Sequence, residues 1–182
     1  MSMIGEYVRV TAAQLDQAIK DPEWASDLID ELIEADWEGG AAPEEDPSGT
    51  APDAPTSTLG VRSLDVDKAW DALDFLLRRR DFPVDIIHGE APIPGADDWG
   101  YGPPRYLTPA RVQVAADALR GLTADELVAD VSPQELARAD VYPRIIWERG
   151  ESLDYVRGYF AVLVPFFQAA AQAGDGMLIW LD

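Results

Sequence analysis

The chain has 182 residues, 47 % of them hydrophobic and 26 % charged, enough apolar material for one core in a single domain. Its 34 Asp and Glu against 14 Lys and Arg leave a net charge of −20, which argues against binding nucleic acid or anionic lipid, since both need a Lys/Arg surface. With no Cys and a single His, His88, the chain lacks the side chains for disulfides, thiolate nucleophiles, Cys-based metal centres or a two-histidine metal site.

The opening Met1-Ser2-Met3-Ile4-Gly5-Glu6-Tyr7 has neither the basic nor the apolar region of a secretory signal. Together with the absence of Cys this makes a cytoplasmic location the expectation. The Arg bias, 12 Arg to 2 Lys with many Ala, Asp and Pro, suggests a bacterium with a GC-rich genome. Residues 4–10 alternate apolar and polar side chains, as a half-buried strand does. Thr11 is placed to cap a short helix to Lys20, and Pro22 opens a second through Trp37, with Trp24, Leu28, Ile29, Leu32 and Ile33 at helical spacing. Residues 11–53 hold 13 acidic side chains and one basic one, Lys20. Within that stretch, residues 39–60 contain four prolines and only Leu59 as a bulky apolar group, which predicts a flexible acidic loop.

Beyond the loop, Val66, Ala69, Trp70, Leu73, Leu76 and Leu77 form an apolar stripe on a helix that Asp65 would cap. The apolar Ile86-Ile87 pair suggests a strand ending near His88. Thr108-Pro109 starts a helix to Arg120, and Thr123–Glu126 and Ser132–Glu135 both have the pattern of capping boxes. A last helix over 151–173 should kink at Pro165 and stop at Gly174. Tyr155, Tyr159, Phe160, Phe166 and Phe167 form its core face, and Trp147 just before it is a core filler. Its most apolar stretch, 159–171, is too short to span a bilayer. Met177–Leu181 is a continuous apolar run, the pattern of a buried strand. The resulting expectation is one α+β domain over 1–182, an α/β-type layered arrangement. A small sheet including the N- and C-terminal strands would be covered by about five or six helices.

Four segments carry a family resemblance: Met3-Ile4-Gly5-Glu6-Tyr7, the Leu64–Leu77 stretch beginning Leu-Asp-Val-Asp-Lys-Ala-Trp, Gly100-Tyr101-Gly102-Pro103-Pro104-Arg105-Tyr106-Leu107-Thr108, and Gly174-Asp175-Gly176-Met177-Leu178-Ile179-Trp180-Leu181. In order and spacing they resemble the YfbM-like family, a bacterial domain of unknown function numbered 1877. The resemblance spans the chain apart from 39–60. It implies a single domain with helices around a sheet, and no assigned activity or catalytic residue. Relatives often have His where this chain has Asp74.

Three sequence features could carry chemistry. Asp65 and Asp67 could hold a divalent ion, but they read better as acids in the first turn of a helix, so no metal site is expected. His88 and Glu90 could share a face as a general base and its partner, with no visible nucleophile. Residues 97–106 combine loop-shaping Gly and Pro with Trp99, Tyr101, Tyr106 and the guanidinium of Arg105, a composition suited to recognition. In this reading Tyr101 is a rigid wall and Arg105 the reader of a ligand. The leading expectation is a non-catalytic binding module without cofactor, recognising a protein or a small anionic ligand through that loop. The alternatives are a small cytoplasmic enzyme using His88, Glu90 and Arg105, and an acidic, immunity-type inhibitor of a basic partner.

Overall fold

The period of two in the first strand sets the layers of the protein. A computed structural model describes residues 2–38 and 61–182, so the acidic stretch 39–60 lies outside the described residues. Strand β1 (Gly5–Val10) pairs with β2 (Ser63–Asp65) on one side and β5 (Gly176–Leu181) on the other; β4 (Arg105–Leu107) and β3 (Ala91–Pro92) complete the sheet. The order is β2-β1-β5-β4-β3 and every pairing is antiparallel.

Successive residues on each strand face opposite layers. Tyr7, Met177, Ile179 and Leu107 join the larger core, under α3 (Trp70–Arg79), α4 (Pro109–Arg120) and α8 (Asp154–Ala173). Val8, Val10 and Leu178 join a smaller core on the opposite face, under α1 (Ala12–Lys20) and α2 (Pro22–Glu38). The short helices α5 (Ala124–Val128), α6 (Pro133–Arg138) and α7 (Arg144–Glu148) fill the rim of the larger layer. The described residues thus hold eight α-helices, more than the five or six expected, because three of them are single turns with one buried residue each: Leu127, Leu136 and Trp147. The α+β class and the pairing of both terminal strands in one sheet are as the sequence predicts. No helix among the described residues is long and apolar enough to cross a membrane.

Several local starts behave as their residues dictate. Thr11 and Thr123 form reciprocal capping boxes with Gln14 and Glu126, and Thr108 caps α4 through the Arg111 amide. Others differ. Ser132 caps α6, but its box is left open because the Glu135 carboxylate ion-pairs with Arg79 instead of returning to the cap. Asp65 ends β2 rather than capping α3; its Oδ1 accepts the Asp67 amide at 3.1 Å, and a 3-10 turn (Asp67–Ala69) intervenes before Trp70. The 86–88 segment is a turn, not a strand end, because the Asp85 carboxylate accepts the Ile87 and His88 amides at 3.2 and 2.9 Å and curls the chain. At the C-terminal end of α2, Asp36 Oδ2 accepts the Arg62 amide, the Ser63 amide and the Ser63 hydroxyl at 2.9, 2.7 and 2.7 Å.

One buried ion pair joins the elements. Gly174, left-handed at φ 72°, closes α8 in a Schellman pattern, with its N–H donating to Ala171 and the Asp175 N–H to Ala170. That turn delivers the Asp175 carboxylate to Arg9 on β1, whose Nε and Nη2 donate to it at 3.1 and 3.0 Å. Arg9 is 2 % exposed and Asp175 4 %. The same guanidinium donates to the Val61 and Ala169 carbonyls, so among the described residues it joins β1 to the chain before β2 and to α8 as well as to the turn at Asp175. Removing the carboxylate alone would strand a buried cation. We expect Asp175→Ala to lose about 3–5 kcal/mol in urea denaturation, with Asp175→Asn losing less because it still accepts a hydrogen bond.

Candidate functional site

The strand register builds a row of side chains on the α2 face of the sheet. Glu6 on β1 lies opposite Asp65 on β2 and opposite Trp180 on β5. Residues directly opposed on neighbouring strands share a face, and two like charges so placed oppose folding. Above the row, Ser26, Ile29, Asp30, Ile33 and Trp37 form one stripe of α2, at the spacing of successive helical turns. The space between stripe and row is a cleft of about 610 Å³. Asp182, just past β5, and Trp99 close its end.

Burial and the charges of Asp65 and Asp182 push the Glu6 carboxyl up to about 7. Asp65 is raised as well, first by burial, against the lowering effect of the Asp67 amide. Among the described residues no Lys or Arg ion-pairs with Glu6, Asp30, Asp65 or Asp182.

The 97–106 segment is divided by its own hydrogen bonds. Gly100 adopts φ 124°, and a Cβ there would come within 2.4 Å of the Leu181 carbonyl oxygen, so only glycine lets this loop lie on the end of β5. The Tyr101 amide donates to that carbonyl at 2.8 Å. Trp99 is thereby set edge-on to Trp180, ring centres 5.5 Å apart. Tyr101 is 48 % exposed. Tyr106 points to the smaller core. Arg105 lies on β4, where its Nε and Nη2 donate to the Gly89 and Glu90 carbonyls, both at 3.1 Å. Of the four expected ligand-binding residues, only Trp99 lines the cleft.

His88, Glu90 and Arg105 do not converge side chain to side chain. Glu90 is held by Arg111 in a two-pronged contact, with both N–O distances 2.7 Å. His88 turns to two carboxylates, its Nδ1 3.4 Å from Asp85 and 3.7 Å from Asp74, with Trp70 edge-on behind the ring. Asp74, Asp85 and His88 are close enough to share one metal ion, a grouping the sequence reading missed because the residues come from a helix and from a turn that was expected to be a strand. Arg78 donates to Asp74 at 2.9 Å, and the neighbouring Asp85 raises the His88 pKa against the lowering effect of burial. The group ties the 81–90 segment to α3. Asp67, the other half of the pair weighed as a metal site, accepts the Tyr155 hydroxyl at 2.7 Å.

Two outcomes are expected. Between the ordinary glutamate value of 4.5 and about 7, native Glu6 keeps a proton that the unfolded chain has released, so its contribution is whole below that window and lost above it. Glu6→Gln should therefore leave stability unchanged at pH 4 and raise it at pH 8 by roughly 1–3 kcal/mol, measured by thermal and urea melts at both pH values. Arg105→Ala should lose about 1–2 kcal/mol through its two carbonyl contacts, whereas Tyr101→Ala, at a half-exposed site, should change stability by less than about 1 kcal/mol.

A family model described as Domain of unknown function (DUF1877) matches residues 1–180. Among solved structures, the chain is similar to the crystal structure of YfbM from Escherichia coli, described as a protein of unknown function. The two share 18 % identity with a TM-score of 0.58, over 98 % of this chain and 99 % of that one, which speaks to the fold. The comparison with curated proteins gives no match.

Proposed function

We propose that this chain, which belongs to the family of the domain of unknown function DUF1877, is a non-catalytic binding module whose ligand occupies the cleft between α2 and the sheet. The observation that carries the reading is the composition of that cleft. Three of the six tryptophans line it, Trp37, Trp99 and Trp180, and Trp37 is 68 % exposed. Large aromatic rings left on an open surface lose burial energy that a ligand can restore. The loop carrying Trp99 is fixed by Gly100 and the Tyr101 amide, so the wall is set before any ligand arrives. The cleft's carboxylates oppose an anion, so the small anionic ligand expected from Arg105 gives way to a neutral or cationic one. Against catalysis stands the separation of His88, Glu90 and Arg105 among other partners.

A basic protein partner has one specific feature in its favour. Glu23, Asp27, Glu31, Glu34 and Glu38 leave the outer surface of α2 acidic and exposed.

The cleft reading is tested by a fragment screen followed through the six indole N–H resonances of 15N-labelled protein. We expect bound fragments to shift Trp37, Trp99 and Trp180 and to leave Trp24, Trp70 and Trp147 unmoved, and Trp99→Ala to abolish the shifts. Fragments that perturb Trp70, next to His88, and bind unchanged to Trp99→Ala would move the site to the 81–90 segment and sink the cleft reading.

A further inference from the structure

We infer that the cleft takes a small organic cation of the alkylammonium class, its charged head between the tryptophan faces and the carboxylates of Glu6, Asp65 and Asp182; the assignment rests on the binding role proposed above. The argument starts from charge. The row Asp65–Glu6 puts two carboxylates opposite one another at the floor of a cleft, and Asp182 adds its field to Glu6. Other carboxylates of the protein have a cation or several donors: Asp74 has Arg78, Glu90 has Arg111, and Asp36 has three hydrogen bonds from Arg62 and Ser63. The row has no such cation among the described residues, and the 39–60 sequence, with four acidic side chains and no Lys or Arg, brings none. A positive ligand would relieve the repulsion that the fold otherwise carries.

The kind of cation follows from the walls. Among the described residues, the one group of three or more carboxylate and imidazole side chains close enough to grip a single metal ion is Asp74, Asp85 and His88, so Glu6, Asp65 and Asp182 do not all converge on one bare ion. They suit a larger, diffuse positive charge. Tryptophan is the best partner for such a charge, because the ring face is negative and attracts an alkylammonium without having to strip tightly held water. Trp99 and Trp180 stand perpendicular, at 85°, so a ligand meets both a face and an edge in the corner they make. The cleft, at about 610 Å³, holds a molecule well above the size of a simple ion.

The test pairs choline with its uncharged carbon isostere 3,3-dimethyl-1-butanol, read by tryptophan fluorescence and indole N–H shifts on the whole chain. We expect choline to bind about tenfold more tightly than the isostere, and that preference to vanish in Glu6→Gln and in Asp65→Asn, with isostere binding unchanged. Two variants are used so that a folding defect in one does not decide the result. Affinity for choline should also rise from pH 6 to pH 8 as Glu6 loses its proton. Equal binding of choline and isostere at Trp37, Trp99 and Trp180 would overturn the cation assignment and leave the binding role standing. No indole shift with either compound, when fragments still shift the same tryptophans, would overturn it too. Tighter binding of N-acetyl-lysine amide than of choline would move the ligand to a side chain on a protein and overturn the small-molecule assignment.

Discussion

The contact on which the arrangement depends is the buried pair of Arg9 and Asp175. It joins the first strand to the turn between the last helix and the last strand, two segments separated by most of the chain. Its role is to set register as much as to stabilise. Because side chains alternate across a strand, a shift of β1 by one residue would turn Arg9 away from Asp175 and Tyr7 out of the larger core. It would also turn Glu6 away from the cleft. The pair therefore decides which face Glu6 occupies, and that in turn decides whether the α2 side of the sheet carries charge.

Two clusters of acids have contrasting surroundings in one fold. Around His88 a guanidinium and an imidazole stand beside the carboxylates, and the result is a cross-brace between a helix and a turn. Around Glu6, burial first and then the charges of Asp65 and Asp182 push the pKa up to about 7. The first cluster joins a helix to a turn; the second sets two carboxylates opposite one another on paired strands, against the like-charge rule of sheet pairing. A local rule broken where the rest of the fold is consistent marks a functional or a strained site, and the binding role proposed above takes the first of these.

Much of this was legible in the sequence. The apolar stripes at 66–77 and on the last helix, the caps at Thr11, Thr108 and Thr123 and the stop at Gly174 are short-range signals that neighbouring residues satisfy themselves. The strands β2, β3 and β4 were not, since two or three residues show no period and owe their conformation to a partner strand. The cleft was visible only through Trp99. Glu6 and Asp65 lie 59 positions apart, and nothing in either neighbourhood announces that pairing would set them opposite each other. Arg105 looked available because its partners are main-chain carbonyls, which sequence patterns do not reveal.

Asp36 has a separate consequence. Its single carboxylate oxygen gathers three donors from Arg62 and Ser63, so the chain that departs past α2 is clasped again, on its return, beside the point where it departed. A clasp of that kind uncouples what lies between its ends from what lies outside them. Whatever the sequence between them, the end of α2 and the start of β2 keep their places relative to one another through that one carboxylate.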